Sequence, residues 1–391
     1  MNWVLVFVMY ALLIFGVFMI ESAARHLPVA QETLREFGSA GGYYAWMQKK
    51  WIAIGSVVYF AAALIDYRWI RWLGVPLYGV SIALMVMAMQ ADDDVHRLVI
   101  GGFSFQPAQL GVTSGIVMIA WLMQDLPKLH AFLGNPFIRI GIIGVLSAVP
   151  FLLVMKMGDM GSALVWIPVV IVALLLAGIP FRFLSFIAFV SAGVLPILYF
   201  VILPLVSERG PDRIDLWLRM LQGQEVNIRG DGYAPHNVSM AVGKAGWKGV
   251  GWMASAERGS LHDKKFIPHL TAHNDFIFAV IAEELGFRSA LLLIGGFALL
   301  LIQALFIGFY SRDVAGRLIV CMVVALFFAH IYENIGMCVL LMPITGIPLP
   351  LVSYSGTFVV ICMFLLGLVQ SVWVYRHRGR PEADRPRHRA G

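Results

Sequence analysis

Charge is scarce in this chain. Only 13% of its 391 residues are Asp, Glu, Lys or Arg, about half the share of an ordinary soluble domain, which excludes a water-facing globular surface. Cysteine is scarce as well: Cys321, Cys338 and Cys362 all fall in apolar runs and form no CxxC spacing. Neither a disulfide framework nor a cysteine metal motif follows from them. The alternation of apolar and polar residues that marks a membrane barrel is missing too. What abounds is apolar surface, with 60% hydrophobic residues and a mean hydropathy of +0.80.

That apolar surface is laid out in continuous runs close to the length of about 20 residues that crosses a bilayer as helix. The runs predict ten spans, at 3–21, 50–66, 71–91, 106–124, 137–157, 160–179, 182–206, 275–309, 317–342 and 347–375. The expected fold is therefore all-α and polytopic. The first run has no positive segment before it and further spans behind it, so it reads as a retained anchor and not as a cleaved signal.

Basic residues choose the sidedness. The tail from 376 to 391 carries Arg376, Arg378, Arg380, Arg385, Arg387 and Arg389, which fits a disordered cytoplasmic end, and an even number of spans places the amino end beside it. The even-numbered connections agree, with Arg68 and Arg71, Lys128 and Arg139, Arg182, and Arg312 and Arg317; Lys49 and Lys50 break the pattern. The expected organisation is one transmembrane domain over 1–375 followed by the basic tail. Between spans seven and eight the residues 207–274 form one long outer loop, and loops of that length in a compact protein are usually functional. It holds nine Lys and Arg against seven Asp and Glu. A solvated face is one reading; a surface for phosphate-bearing lipid headgroups is the other. Nucleic acid is excluded by the position of the loop.

The stretch "LTAHNDFIFAVIAEELGF", Leu270 to Phe287, is the place where that loop meets an apolar helix. Asp275 stands there at headgroup depth, where a carboxylate is unfavourable unless partnered or used. A helix N-terminal cap is the plain alternative. Glu283 lies on the same helical side as Asp275 and Glu284 nearly opposite; two carboxylates deeper in the span are expected to orient partners within the bundle. The stretch from Pro343 to Gly356 is rich in Pro and Gly, so its backbone must be buried in protein or line a cavity.

Five stretches in a fixed order, "LLIFGVFMIESAA", "IGGFSFQPAQL", "GDMGSALV", "HNDFIFAVIAEELGF" and "NIGMCVLLMPITGIPLPLVSYSGT", together resemble the SEDS family, which includes RodA, FtsW and SpoVE. The short ends resemble the RodA branch most. The resemblance implies a peptidoglycan glycosyltransferase that polymerises lipid II at the outer face of the bacterial inner membrane with a class B penicillin-binding protein, in elongation and shape control. By the same resemblance Asp275 matches the aspartate required for polymerisation, His273 the motif histidine, Arg97 a family arginine, and Asp159 the aspartate of "QPDLGTA".

Chemistry adds roles to these positions. Glycan growth needs a base for the attacking 4-hydroxyl and charge stabilisation for the leaving lipid pyrophosphate. Asp275 suits the base. Direct displacement on an α-linked donor gives a β linkage without a covalent nucleophile. Lys264, Lys265 and Arg97 are candidate pyrophosphate cations. Asp159 either shares a divalent cation, Mg²⁺ or Mn²⁺, with the pyrophosphate or pairs with a basic residue; Asp275 is the other possible metal ligand. His273, Ser353 and Tyr354 are candidate substrate contacts. No organic cofactor is expected.

The chain departs from the family pattern at several places. Leu98 replaces a tryptophan, and Gln109 and Val112 replace the Glu and Lys of "PSELAK". Those two lie three apart on a helix, so losing both charges leaves no orphan charge behind. Two alternatives follow: a scaffold that has kept its partner surface but lost catalysis, and a lipid II flippase with alternating access.

Overall fold

The computed structural model describes residues 1–90, 98–100, 103–197 and 210–377. Helices dominate: α1 Trp3–Ala23, α2 Gln31–Phe37, α3 Ala40–Leu64, α4 Arg71–Met89, α5 Pro107–Leu129, α6 Pro136–Lys156, α7 Met160–Leu164, α8 Trp166–Leu176, α9 Phe181–Ile197, α10 Gly210–Leu221, α11 Tyr233–Lys244, α12 Ile277–Phe309, α13 Val314–Cys338 and α14 Thr357–Val374. One small antiparallel hairpin, Leu98–Ile100 with Phe103–Phe105, interrupts the helical pattern before α5.

Seven helical segments among the described residues are long and apolar enough to cross a membrane, and Met160–Leu176 forms a shorter apolar piece. The chain is a multi-pass membrane protein. Its outward faces fit that solvent: Phe7, Ile14 and Phe18 of α1 and Leu292, Ile302 and Phe309 of α12 are all exposed. In lipid such faces are stable without partners, and specificity moves to the small and polar positions between helices. Gly367 of α14 illustrates this, since a Cβ there would meet the Tyr59 carbonyl of α3 at 2.7 Å; α3 and α14 consequently lie closely side by side.

Polar residues fix where the helices begin. Asn2, Ser39, Asn135 and Asp313 cap α1, α3, α6 and α13, each accepting from a backbone N–H one to three positions into the helix, a stabilisation of about 1 kcal/mol apiece. The Ser39 cap starts α3 ten residues ahead of the expected span at 50, because a polar, aromatic first turn is helical without being apolar.

Four further departures from the sequence expectation bear on the site. The run at 160–179 divides into α7 and α8. The run at 275–309 is a helix broken at Gly286, whose φ of 80° and ψ of 177° leave the helical region. The run at 347–375 becomes helical only at Thr357, because Pro348 and Pro350 lack N–H donors, and Gly346, Leu351 and Gly356 have positive φ. Within the stretch 207–274, the described residues from 210 onward include the helices α10 and α11.

Candidate functional site

Asp275 is presented by a tight turn. The Thr271 carbonyl accepts from the N–H groups of Asn274, Asp275 and Phe276, at 3.1, 2.9 and 3.2 Å. The helix that follows has Phe276 as its N-cap residue, whose side chain makes no cap bond. The non-helical segment 343–356 holds this turn. Asn334 of α13 donates through one amide nitrogen to the Asp275 carbonyl at 2.8 Å and to the Ile347 carbonyl at 2.7 Å. Ser353, 1% exposed, donates to the Asn274 carbonyl at 2.5 Å and accepts from Leu349 N–H at 2.9 Å. Tyr354 N–H donates to the His273 carbonyl at 3.0 Å. Gly346 borders the carboxylate itself, since a Cβ there would stand 3.5 Å from Asp275 Oδ2.

Asp159 reaches the same end of the bundle from the other side. It caps α7 by accepting from Ser162 N–H at 2.9 Å, and its second oxygen accepts from Gln106 Nε2 at 2.6 Å. Gln109 donates to the Ser162 hydroxyl at 3.2 Å, and Val112 is fully buried. Two of the positions that depart from the family pattern, Gln109 and Val112, are therefore buried and uncharged on α5, with Gln109 bonded to α7. Gly161 presses α7 against the 343–356 segment, where a Cβ would meet Ile347 at 2.3 Å and Thr345 at 3.0 Å. Glu333 of α13, 4% exposed, lies within charge–charge reach of Asp159. Its Oε2 has no hydrogen-bond partner among the described residues.

Two aromatic neighbours line the Asp275 turn. His273 packs 5.5 Å from Tyr354 and 5.1 Å from Tyr44, centroid to centroid. Burial pushes the His273 imidazole down to about 4, which makes it a neutral donor and acceptor at neutral pH. Burial, with Tyr44 and Tyr43 nearby, pushes the Tyr354 phenol up to about 12. Across the segment lies α10, whose Trp217 donates to the Leu340 carbonyl at 2.9 Å and whose Arg213 donates to the Thr345 carbonyl at 3.5 Å.

The remaining candidates sit elsewhere. Lys264 and Lys265 are exposed on a turn where the Lys265 carbonyl accepts from Tyr233 at 3.2 Å, with the Lys265 charge near His26. Arg97 lies outside the described residues, as do Glu208, Arg209 and the tail beyond 377. Glu283 accepts from the N–H groups of Leu261 and His262. Glu284, fully buried, accepts from Ser22 at 2.6 Å and Met253 N–H at 3.3 Å, with Arg25 at 3.8 Å. These two acidic groups clamp the 250–263 stretch to the end of α1, the orienting role their depth in the span predicts. No group of three or more His, Cys, Asp or Glu side chains among the described residues is disposed to hold a metal.

Arg213, Gln48, Gln106 and Tyr44 escape the sequence reading. A signal exists for two of them: Gln48 is a lone amide in an apolar helix, and Arg213 and Trp217 lie four apart on an amphipathic helix. Gln48 donates to the Ser353 carbonyl at 3.5 Å. Nothing in the local sequence ties Tyr44 to His273, more than two hundred residues away.

A broken, mainly helical membrane bundle with acidic residues gathered at one end defines a class of polytopic membrane protein built around a rim site. The model of the FtsW, RodA and SpoVE family, described as cell cycle protein, matches residues 2–378, and the chain belongs to that family. The peptidoglycan glycosyltransferase MrdB of Escherichia coli K12 is 30% identical over 333 residues, 83% of this chain and 84% of the relative. A probable peptidoglycan glycosyltransferase FtsW of Trichlorobacter lovleyi is 27% identical, covering 94% of this chain and 92% of its own. Among solved structures, a chain of a peptidoglycan synthase complex that coordinates polymerization and crosslinking superposes with a TM-score of 0.75 at 22% identity, covering 97% of this chain and 99% of that one. The rod shape determining protein RodA of Thermus thermophilus gives 0.64 at 22% identity, with 97% and 98% covered. At those identities the superpositions establish the shared fold.

Proposed function

We propose that the chain is a peptidoglycan glycosyltransferase, polymerising lipid II into glycan strands at the outer face of the inner membrane in cell elongation and shape control. The observation that carries the reading is the Asp275 turn: a carboxylate at the start of an apolar helix, held by Asn334 and Ser353 against backbone that cannot face lipid. The proposed topology has ten spans with both termini cytoplasmic, a single domain over 1–375, and the long outer element at 207–274. Under it Asp275 lies at headgroup depth, where lipid-linked sugars present their reacting groups.

In the proposed mechanism Asp275 accepts the proton of the attacking 4-hydroxyl as the new glycosidic bond forms. The lipid pyrophosphate leaves with the electrons of the broken bond. His273 and Tyr354 orient the sugar. Arg213 supplies positive charge across the segment from Asp275, with Arg97 as a further cation for the pyrophosphate; Lys264 and Lys265, on the turn near His26, take no part in the step. A divalent cation, Mg²⁺ or Mn²⁺, would be held chiefly by pyrophosphate oxygens with Asp159 or Asp275 as the protein ligand, and would neutralise leaving-group charge. Both Asp159 oxygens already accept hydrogen bonds, so a metal there shares them. The partner is a class B penicillin-binding protein, which a likeness to a polymerizing and crosslinking complex supports.

The test incubates the purified chain with lipid II, with and without that partner and each cation, beside Asp275→Ala. Strands from the wild type alone support both polymerase and base. Strands from both proteins would move the base elsewhere. No strands in any mixture that binds the partner would favour the scaffold, and lipid II crossing vesicles without strand formation would favour the flippase.

A further inference from the structure

Six rings form a line, of which the proposed catalytic step uses only the inner two, His273 and Tyr354. Phe37, at the end of the wholly unburied helix α2, lies 5.0 Å from Trp46 and 5.4 Å from Tyr43. Tyr43 is 5.4 Å from Tyr44. Tyr44 is 5.0 Å from Tyr354 and 5.1 Å from His273, two residues before Asp275. The line thus runs from an exposed surface helix to the turn that presents the carboxylate.

Aromatic belts anchor membrane proteins at the interface, and this line differs from a belt in three ways. It leads inward toward a carboxylate instead of around the bundle. Three of its rings carry phenol hydroxyls and one is an imidazole, so each apolar face comes with a polar edge. At its inner end His273 is only 9% exposed, yet its Nδ1 has no hydrogen-bond partner among the described residues, a buried polar atom left for a ligand. At the outer end Lys50 lies 3.2 Å over the Trp46 ring, holding that ring in place.

We infer that this line is a saccharide-binding track for the glycan strand being extended, an inference that rests on the polymerase reading above. A pyranose ring offers a C–H face that stacks on an aromatic ring and a rim of hydroxyls that phenols and imidazole bond. The ring-to-ring steps are on the scale of one sugar. A strand seated here passes from the reacting carbon beside Asp275 outward along Tyr44, Tyr43 and Trp46, and is retained between additions. His273 Nδ1 bonds the hydroxyl of the innermost sugar.

The test uses the full chain with its penicillin-binding partner and lipid II, scoring strand length against lipid II consumed. A second measurement is binding of a lipid-free tetrasaccharide of alternating N-acetylglucosamine and N-acetylmuramic acid. A Tyr43→Ala/Trp46→Ala variant is expected to shorten strands about 3-fold or more, beyond any fall in consumption, and to weaken tetrasaccharide binding about 5-fold or more. The Tyr43→Phe/Trp46→Phe pair keeps the stacking faces and should recover most of both losses. Trp72, exposed and stacked 4.7 Å from Arg71, is the matched control, and Trp72→Ala should change neither. Wild-type strand lengths in the double variant, or equal shortening by Trp72→Ala, would overturn the track. Absence of strands from the wild type would unseat the polymerase reading instead; tetrasaccharide binding that the double variant lacks would then keep the track, and no wild-type binding would overturn it.

Discussion

Two sets of carboxylates stand eight residues apart on one stretch of chain and are treated oppositely. Glu283 and Glu284 are saturated by Leu261, His262, Ser22, Met253 and Arg25. Asp275, by contrast, is gripped through the backbone of its turn, by Asn334 on its own carbonyl and Ser353 on that of Asn274. The first arrangement uses carboxylates to hold the fold; the second uses the fold to hold a carboxylate. A buried acid engaged by backbone and side-chain donors stabilises the structure, whereas a side chain positioned through its own backbone is aimed by the fold around it.

The largest effect that separates the two is on turnover. Asp275→Asn should reduce strand synthesis at least about 100-fold, the range for losing a general base, while its thermal midpoint in detergent moves less than that of any Glu284 variant. If both quantities fall together, the contrast between the regions is wrong.

Next is stability at the other set. Glu284→Ala removes the acceptor for Ser22 and leaves Arg25 beside a buried gap, so it should destabilise by about 3 kcal/mol, read from the midpoint of thermal unfolding. Residual activity should follow the folded fraction.

Gly286→Ala should come third. The positive φ contributes about 1–3 kcal/mol of strain, and a Cβ would stand 2.4 Å from Gly249 N, where the broken helix lets Phe287 N–H reach the Gly246 carbonyl at 2.9 Å. Unfolding midpoints of Gly286→Ala and Gly295→Ala, the latter facing open space, give the comparison.

The smallest effect is pH. Burial first, then the charges of His262, Arg25 and Lys265 against the opposing Asp263, lowers His26 to about 4, and burial lowers His273 to about 4. Both folded values lie below the ordinary 6.5, so the unfolded chain binds more protons. Stability is full above about pH 6.5 and declines as pH falls toward 4. His26→Gln should flatten part of that decline in midpoints measured from pH 7.5 to 5 and leave the midpoint at pH 7.5 nearly unchanged.

Much of this is legible in the sequence. Continuous apolar runs and scarce charge give a helical membrane protein, because a bilayer demands internally satisfied backbone. The motif around Asp275 gave its position at the head of a helix. The cap that Asp159 makes on α7 is not legible, since a cap depends on where a helix starts and the apolar run at 160–179 shows no break. Lys264 and Lys265 looked close to Asp275 by sequence distance, but the intervening chain folds around the Glu283 and Glu284 clamp and carries them toward His26.

What the sequence determined by itself is the solvent, the helical class and the family, all of which follow from composition and short contiguous patterns. Tertiary structure alone decided which polar groups hold the fold and which are held by it. Asn334 reaching Asp275 and Ile347, Gln48 reaching Ser353, and Tyr44 reaching His273 join residues tens to hundreds of positions apart. In an apolar medium a buried polar atom must find its partner wherever the packing of helices brings one, and packing is a property of the whole bundle rather than of any local run.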